Sequence, residues 1–117
     1  MISRAACPAV SALLLLLASA PSDLAMAQEG APDEALLALG REVFTERAQP
    51  SCALCHRLAA AEATGAVGPS LDELDPDTEK VAAAVTQGVG VMPAFGDLLS
   101  EKEIAAVAAY VAAVAGQ

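Results

Sequence analysis

Apolar residues recur every three or four positions in two stretches of the chain, the spacing that places side chains on one face of a helix. In the first stretch Leu36, Leu39 and Val43 follow this spacing. Pro and acidic residues favour the first turn of a helix, and residues 32–34 are Pro-Asp-Glu. The pattern predicts a helix that starts there and runs to about Arg47.

The second stretch predicts the last helix. Ser100 and Glu103 have the spacing of a capping box, in which each side chain bonds the backbone of the other residue. The apolar stripe that follows consists of Ile104, Val107, Ala108 and Val111, with Tyr110 beside it.

Shorter segments lie between these two helices. Ser51 is suited to cap a short helix that begins at the next residue, and residues 57–68 predict a loop with one helical turn. Residues 68–71 predict an extended or turn segment, because Pro69 restricts the backbone. Asp75-Pro76 opens a third helix, which Gly88 closes. We see no strand pattern and no repeat, so the predicted fold is all-α, with about four short helices wrapped around a ligand.

Gly40 lies on the apolar face of the first helix, one turn before Phe44. A Gly inside a helix costs roughly 1 kcal/mol relative to Ala. Its presence indicates that another backbone crosses the helix closely at this point.

The first 27 residues have the pattern of a secretory signal peptide. Arg4 precedes an apolar run, residues 9–20, and Ala25-Met26-Ala27 is a small-x-small cleavage site. We expect cleavage after Ala27, export to the periplasm and one domain of residues 28–117. An uncleaved membrane anchor is the alternative, but the run is short for a span and residues 21–23 interrupt it. No membrane span is therefore expected after cleavage.

The predicted domain has few large side chains for its core. Its aromatic residues are Phe44, Phe95 and Tyr110, and much of its apolar content is Ala. A domain of this size and composition makes a marginal core. A buried macrocycle would supply the missing apolar volume.

The segment Cys52-Ala53-Leu54-Cys55-His56 has the attachment pattern of a c-type haem. Two thiols three positions apart lie on one side of a helical turn, where each can add to one vinyl group of the porphyrin. A thioredoxin-like dithiol would need a βαβ context, and a zinc site would need a second ligand pair; neither is visible. A disulfide between the two Cys remains as a further alternative.

An electron-transfer haem needs two axial iron ligands. His56 supplies the first by virtue of the motif, and Met is the usual second ligand in electron-carrying c haems. Met92 is the one Met after the predicted cleavage site, and it lies in a Gly-rich loop next to Pro93. Lys80, Lys102 or an open site are the alternatives. The Pro69 carbonyl is a candidate acceptor for the second ring N–H of His56.

With these residues, the chain resembles the class I mono-haem cytochromes c, which include small bacterial c551-, c553- and c6-like proteins. The resemblance rests on the haem motif, on Gly68-Pro69-Ser70-Leu71, on Met92-Pro93-Ala94-Phe95 and on the final helix. It implies thioethers at Cys52 and Cys55, axial ligation by His56 and Met92, and orientation of His56 by the Pro69 carbonyl. It also implies that the first and last helices cross near Gly40, Phe44 and Tyr110.

The net charge of the chain indicates what kind of partner it can bind. Arg4 and Asp23 cancel, so residues 28–117, with five basic and 14 acidic residues, keep the chain's net charge of −9. This argues against nucleic acid and anionic lipid as partners, because both need a positive surface. It favours a redox protein that docks through a basic patch, although solubility alone also explains such a charge.

The sequence therefore predicts a periplasmic one-electron carrier with one covalent haem c and no enzyme activity of its own. The alternatives are the electron-accepting cytochrome subunit of a periplasmic dehydrogenase, a gas-binding haem sensor, and a haem-free disulfide protein.

Overall fold

The computed structural model describes residues 33–117. The predicted signal peptide, its cleavage site after Ala27 and the predicted helix start at Pro32 lie outside these residues. Within the described part, the helices are α1 (Glu34–Glu42), α2 (Cys52–Cys55), α3 (Leu71–Leu74), α4 (Thr78–Gln87) and α5 (Glu101–Val114). A π-helical turn, Val43–Arg47, continues α1. The first helix thus reaches Arg47 as expected, and the mostly helical class is confirmed.

Side-chain caps fix the starts of α2, α4 and α5, and the sequence predicted the caps at Ser51 and Ser100. The Ser51 hydroxyl accepts from the Ala53 N–H at 3.2 Å, which starts α2. At α5, Ser100 accepts from the Glu103 N–H at 3.3 Å, and the Glu103 carboxylate accepts from the Ser100 N–H at 2.9 Å. The third cap is Asp77, which accepts from the Lys80 N–H at 2.7 Å. Helix α4 accordingly begins two residues after Pro76, and Gly88 ends it as predicted.

The segment from residue 57 to residue 75 contains more structure than the sequence indicated. Strands β1 (Arg57–Leu58) and β2 (Ala63–Thr64) pair antiparallel around a 3₁₀ turn, Ala59–Ala61. The expectation of no strand was wrong here, because two-residue strands are too short to show the alternation that identifies a strand.

Residue 71, predicted to be extended or in a turn, instead begins α3. Ser70 is the N-cap residue, and Asp72 and Glu73 lie in the first turn, where acidic side chains are favourable. The Asp72 carboxylate also accepts from the Ala59 N–H at 2.9 Å. This bond ties α3 to the 3₁₀ turn.

Helices α1 and α5 cross at Gly40. A Cβ atom at this position would overlap the Ala106 carbonyl oxygen and would lie 2.5 Å from Tyr110 Cβ. One turn further on, the Phe44 and Tyr110 rings pack at a centroid distance of 6.3 Å and a tilt of 59°. The close crossing expected from Gly40 is therefore present, and any larger residue would force the helices apart.

The core is formed by buried side chains of the π-helical turn and α5, together with side chains from the segments between them. Its largest fully buried side chains are Phe44, Leu58, Val43, Val107 and Val111. At the surface, Arg47 bridges Glu42 at 3.1 Å and Glu103 at 3.2 Å, which links the end of the first helix to α5. None of the helices in residues 33–117 has the length and apolar character that a membrane crossing requires.

Candidate cofactor site

The one-turn helix α2 places the two Cys of the motif on the wall of a cavity. Ser51 connects this turn to the end of the first helix. Its hydroxyl lies 3.1 Å from the Phe44 carbonyl and 3.0 Å from the Thr45 carbonyl, and it accepts a hydrogen bond from the Ala53 N–H in α2. The position of Cys52 is therefore coupled to the end of the first helix.

The Cys52 and Cys55 thiols are both free and half-buried. Burial raises the pKa of Cys52 to about 11, because the apolar wall disfavours the thiolate. Such a wall is suited to a thioether, which carries no charge to desolvate.

His56 follows α2 directly and is held by the chain segment that contains Gly68 and Pro69. Its Nδ1 atom lies 2.9 Å from the Pro69 carbonyl oxygen. Because a carbonyl can only accept, Nδ1 carries the proton, and the lone pair of the neutral ring is on Nε2. The ring is thus fixed in the tautomer that a metal-binding His requires.

Gly68 makes this arrangement possible by its lack of a side chain. A Cβ atom there would lie 2.6 Å from Cε1 and 2.8 Å from Nδ1 of His56. The Gly68 N–H also donates to the Cys55 carbonyl at 2.8 Å. The backbone of this segment therefore packs flat against the imidazole and is bonded to the haem motif.

Met92 reaches the same cavity from a short loop that follows α4. Val89 and Met92 exchange two backbone hydrogen bonds, of 3.1 and 2.9 Å. After the loop, the Phe95 N–H donates to the Val85 carbonyl at 2.8 Å. The loop is thus closed on itself and anchored to the end of α4, which restricts where the Met92 side chain can go.

The cavity has a volume of about 450 Å³, in the range of small-molecule sites. Its wall is almost entirely apolar and includes Phe44, Leu71, Val81, Val85, Phe95, Val107 and Val111. It contains His56, both Cys and Met92 of the predicted site.

Several apolar side chains at the rim of the cavity are exposed to solvent. Val67 is 72 % exposed, Val89 63 % and Val91 90 %, and all three line the cavity together with the partly exposed Leu74. Exposed apolar side chains that cluster in this way mark a binding site. A large apolar group seated between them, joined to the two Cys and approached by one His, fits the donor set and the shape of this cavity.

The comparisons with known proteins agree with this fit. The family described as "Cytochrome C oxidase, cbb3-type, subunit III" matches residues 35–111. Cytochrome c6 of Diacronema lutheri is 34% identical over 85 residues, which cover 68% of this chain and 98% of the relative. The chain belongs to the class I cytochromes c. Membership in this family assigns it one covalently bound haem c, with electron transfer rather than enzyme catalysis as its role.

Two further proteins support the membership. Cytochrome c6 of Leptolyngbya boryana is 36% identical over 78 residues, covering 63% of this chain and 87% of the relative. The crystal structure of the c-type cytochrome SorU from Sinorhizobium meliloti superposes with a TM-score of 0.70 at 61% identity, covering 73% of this chain and 97% of that one. The cytochrome c fold expected from the resemblance is thereby confirmed.

In the structure, Cys52, Cys55, His56 and Met92 all line the same cavity. The Pro69 carbonyl is hydrogen-bonded to Nδ1 of the His56 ring. Of the alternative ligands, Lys80 lines the cavity and Lys102 does not. In residues 33–117, no group of three or more His, Cys, Asp or Glu side chains is assembled for a metal.

Two features of the site escaped sequence reasoning. The first is the packing of Gly68 against the His ring, because a Gly in a loop does not by itself indicate which side chain it packs against. The second is the apolar rim, whose members Val67, Leu74, Val89 and Val91 lie in segments without periodicity. Three of the rim residues are Val within three residues of a Gly; large apolar residues in such a Gly-rich loop were the available signal.

Proposed function

We propose that this protein is a periplasmic one-electron carrier whose haem c is attached through Cys52 and Cys55 and ligated by His56 and Met92. The observation that carries the proposal is the bond of His56 Nδ1 to the Pro69 carbonyl, which leaves Nε2 free to bind iron in a cavity that Met92 also lines.

Bound haem c supplies a one-electron Fe(III)/Fe(II) couple. The chain's part would be to hold His56 and Met92 in place in either oxidation state. The hydrogen bond from His56 to Pro69 and the backbone packing of Gly68 hold the imidazole. The closed turn from Val89 to Met92 holds the thioether. Little of the protein then has to move when the charge of the site changes.

The wall of the cavity also favours the reduced state. Apolar side chains keep water from the site, and a low dielectric disfavours the additional charge of Fe(III). A thioether ligand raises the reduction potential further. We therefore expect a positive midpoint potential for the protein.

A redox titration tests the ligand assignment. The wild type should have a positive midpoint potential, and Met92→Ala should lower it and change the spectrum of the haem. Lys102→Ala is the matched control, because Lys102 lies outside the cavity wall, and it should leave the spectrum unchanged. A clearly negative potential in the wild type would contradict ligation by His and Met.

The periplasmic location rests on the signal-like pattern of residues 1–27. Cell fractionation followed by N-terminal sequencing should recover the protein from the periplasm with Gln28 as its first residue. Recovery with the membrane and an intact N-terminus would instead identify the segment as an anchor.

The partner is proposed to be a redox protein with a basic docking patch. The chain's net charge of −9 should attract cations over roughly a Debye length, about 10 Å at 0.1 M salt. Added salt should therefore slow electron exchange between the protein and the cationic complex hexaammineruthenium and should speed exchange with the anionic complex hexacyanoferrate. The opposite pair of salt dependences would contradict an acidic docking surface.

A further inference from the structure

The wall of the haem cavity contains very few polar side chains, and all but one have a partner or a role. Ser51 bonds the backbone on both sides of itself, the Cys side chains are the attachment sites, and the outer nitrogen of His56 is bonded to Pro69. The remaining polar side chain of the wall is Lys80.

Lys80 lies in the first turn of α4, next to the apolar wall residues Pro76 and Val81. The residue is exposed as well as part of the wall, so it lies at the mouth. In residues 33–117 the ion pairs are those of Arg47 with Glu42 and Glu103. The Lys80 ammonium makes no ion pair in this part of the chain.

Haem is not uniformly apolar: one edge of the macrocycle carries two propionate side chains. A carboxylate that enters an apolar cavity loses solvation and needs a compensating partner. A cation within about 4–6 Å favours the ionised carboxyl and lowers its pKa. The cavity wall offers one cationic side chain for this purpose.

We propose that Lys80 is the counter-charge for the propionate edge of the haem and sets which edge of the macrocycle faces the start of α4. The proposal rests on the haem c that family membership assigns to this chain. It does not depend on which residues are the axial ligands.

Several other charged or titratable groups lie on the elements around Lys80. They are Asp77 and Glu79 on or beside α4, Asp72, Glu73 and Asp75 in and after α3, Glu101, Lys102 and Glu103 at the start of α5, and Cys55 and His56 on the cavity wall. The Asp77 carboxylate already accepts the Lys80 backbone N–H as the cap of α4. Because all these groups are retained when Lys80 alone is replaced, a comparison of variants isolates its effect.

The experiment compares Lys80→Gln with Lys102→Gln in the haem-loaded protein. Both variants remove one positive charge from an exposed residue, but Lys102 lies outside the cavity wall. The propionate pKa is measured from the pH titration of the propionate methylene signals in proton NMR spectra. The midpoint potential is measured over the same pH range.

We expect Lys80→Gln to raise the pKa of one propionate by about one unit, a tenfold change in proton affinity, because the ionised form has lost its neighbouring cation. The pH at which the midpoint potential begins to vary should rise by the same amount. At neutral pH the potential should be lower than that of Lys102→Gln, since a lost positive charge near the haem favours Fe(III). Lys80→Arg, which keeps the charge, should restore wild-type values.

Two results would overturn the proposal. The first is an equal propionate pKa in Lys80→Gln and Lys102→Gln, which would show that the charge of Lys80 does not affect ionisation of the propionates. The second is a change in the axial-ligand absorption bands of Lys80→Gln, which would place Lys80 on the iron. Failure of the Met92 assignment would be distinguishable, because it appears in the wild-type spectrum and leaves the propionate titration intact.

Discussion

Replacing Gly68 by Ala should place a methyl group directly against the ring of His56. The new Cβ would lie 2.6 Å from Cε1 of the ring, whereas carbon atoms pack favourably at about 3.5–4.0 Å. The ring and the backbone must therefore separate by roughly 0.9 Å to restore ordinary contact. Because the acceptor for Nδ1 is the carbonyl of the next residue, Pro69, this separation lengthens the 2.9 Å hydrogen bond.

The expected cost has two parts. Overpacking at a tight contact destabilises a protein by about 1–3 kcal/mol, and we expect a loss of this size in the free energy of unfolding of the haem-loaded protein. Loss of an outer hydrogen bond to a metal-binding residue typically weakens metal affinity by about 10–100-fold. The Gly68→Ala protein should therefore lose the proposed His56 ligand on mild denaturation, well before the wild type does.

Denaturant titration followed through the axial-ligand absorption bands measures both effects. Gly90→Ala is the control, because it adds the same methyl group where no atom lies within 4 Å. Its positive φ of 57° will cost about 1–2 kcal/mol of backbone strain, but the ligand bands should keep their wild-type form. Wild-type stability and wild-type bands in Gly68→Ala would refute the packing argument.

Three further predictions concern the elements that support the site. Gly40→Ala should lower the free energy of unfolding by about 1–3 kcal/mol, because α1 and α5 must separate to make room for the methyl group. This loss should outweigh the better helix propensity of Ala. An unchanged stability in thermal unfolding would contradict this prediction. Ser51→Ala should cost about 0.5–2 kcal/mol through the lost cap of α2, and Ser51→Thr, which keeps the hydroxyl, should cost less in the same assay. Hydrogen bonds from Ser100, together with Arg47, lower the pKa of Glu103, so its contribution to stability is present above the ordinary pKa of 4.5 and is lost as the pH falls below that value. Glu103→Gln should therefore reduce the acid sensitivity of unfolding, and an unchanged acid profile would contradict it.

Much of the fold was predictable because local rules and packing demand the same structure. The capping box at Ser100, the terminal Gly88 and the apolar faces of the first and last helices each identify one element, and each is present. Gly40 even predicted a tertiary contact, since a costly residue inside a helix needs a reason. The residues of the haem motif and Met92 were proposed as site residues because few other ligand types occur after residue 27, and Cys52, Cys55, His56 and Met92 line one cavity.

The segment between the haem motif and α4 was not predictable in the same way. The strands β1 and β2 have two residues each, and α3 has four, so none is long enough to show a period. Ser70 followed by acidic residues was an available signal for α3, but the neighbouring Pro69 argued for an extended chain. The flat packing of Gly68 on His56 depends on two segments that meet only in the folded chain.

The proposed function requires an iron site that is closed to added ligands, and the optical spectrum of the reduced protein with and without carbon monoxide tests this. Protein expressed to the periplasm should show sharp low-spin bands that carbon monoxide leaves unchanged, because the proposed ligation by His56 and Met92 leaves no iron position open to the gas. Met92→Ala, treated in the same way, should bind the gas and serves as the positive control. A wild-type spectrum that shifts on addition of carbon monoxide would contradict the account and would favour a gas-binding role.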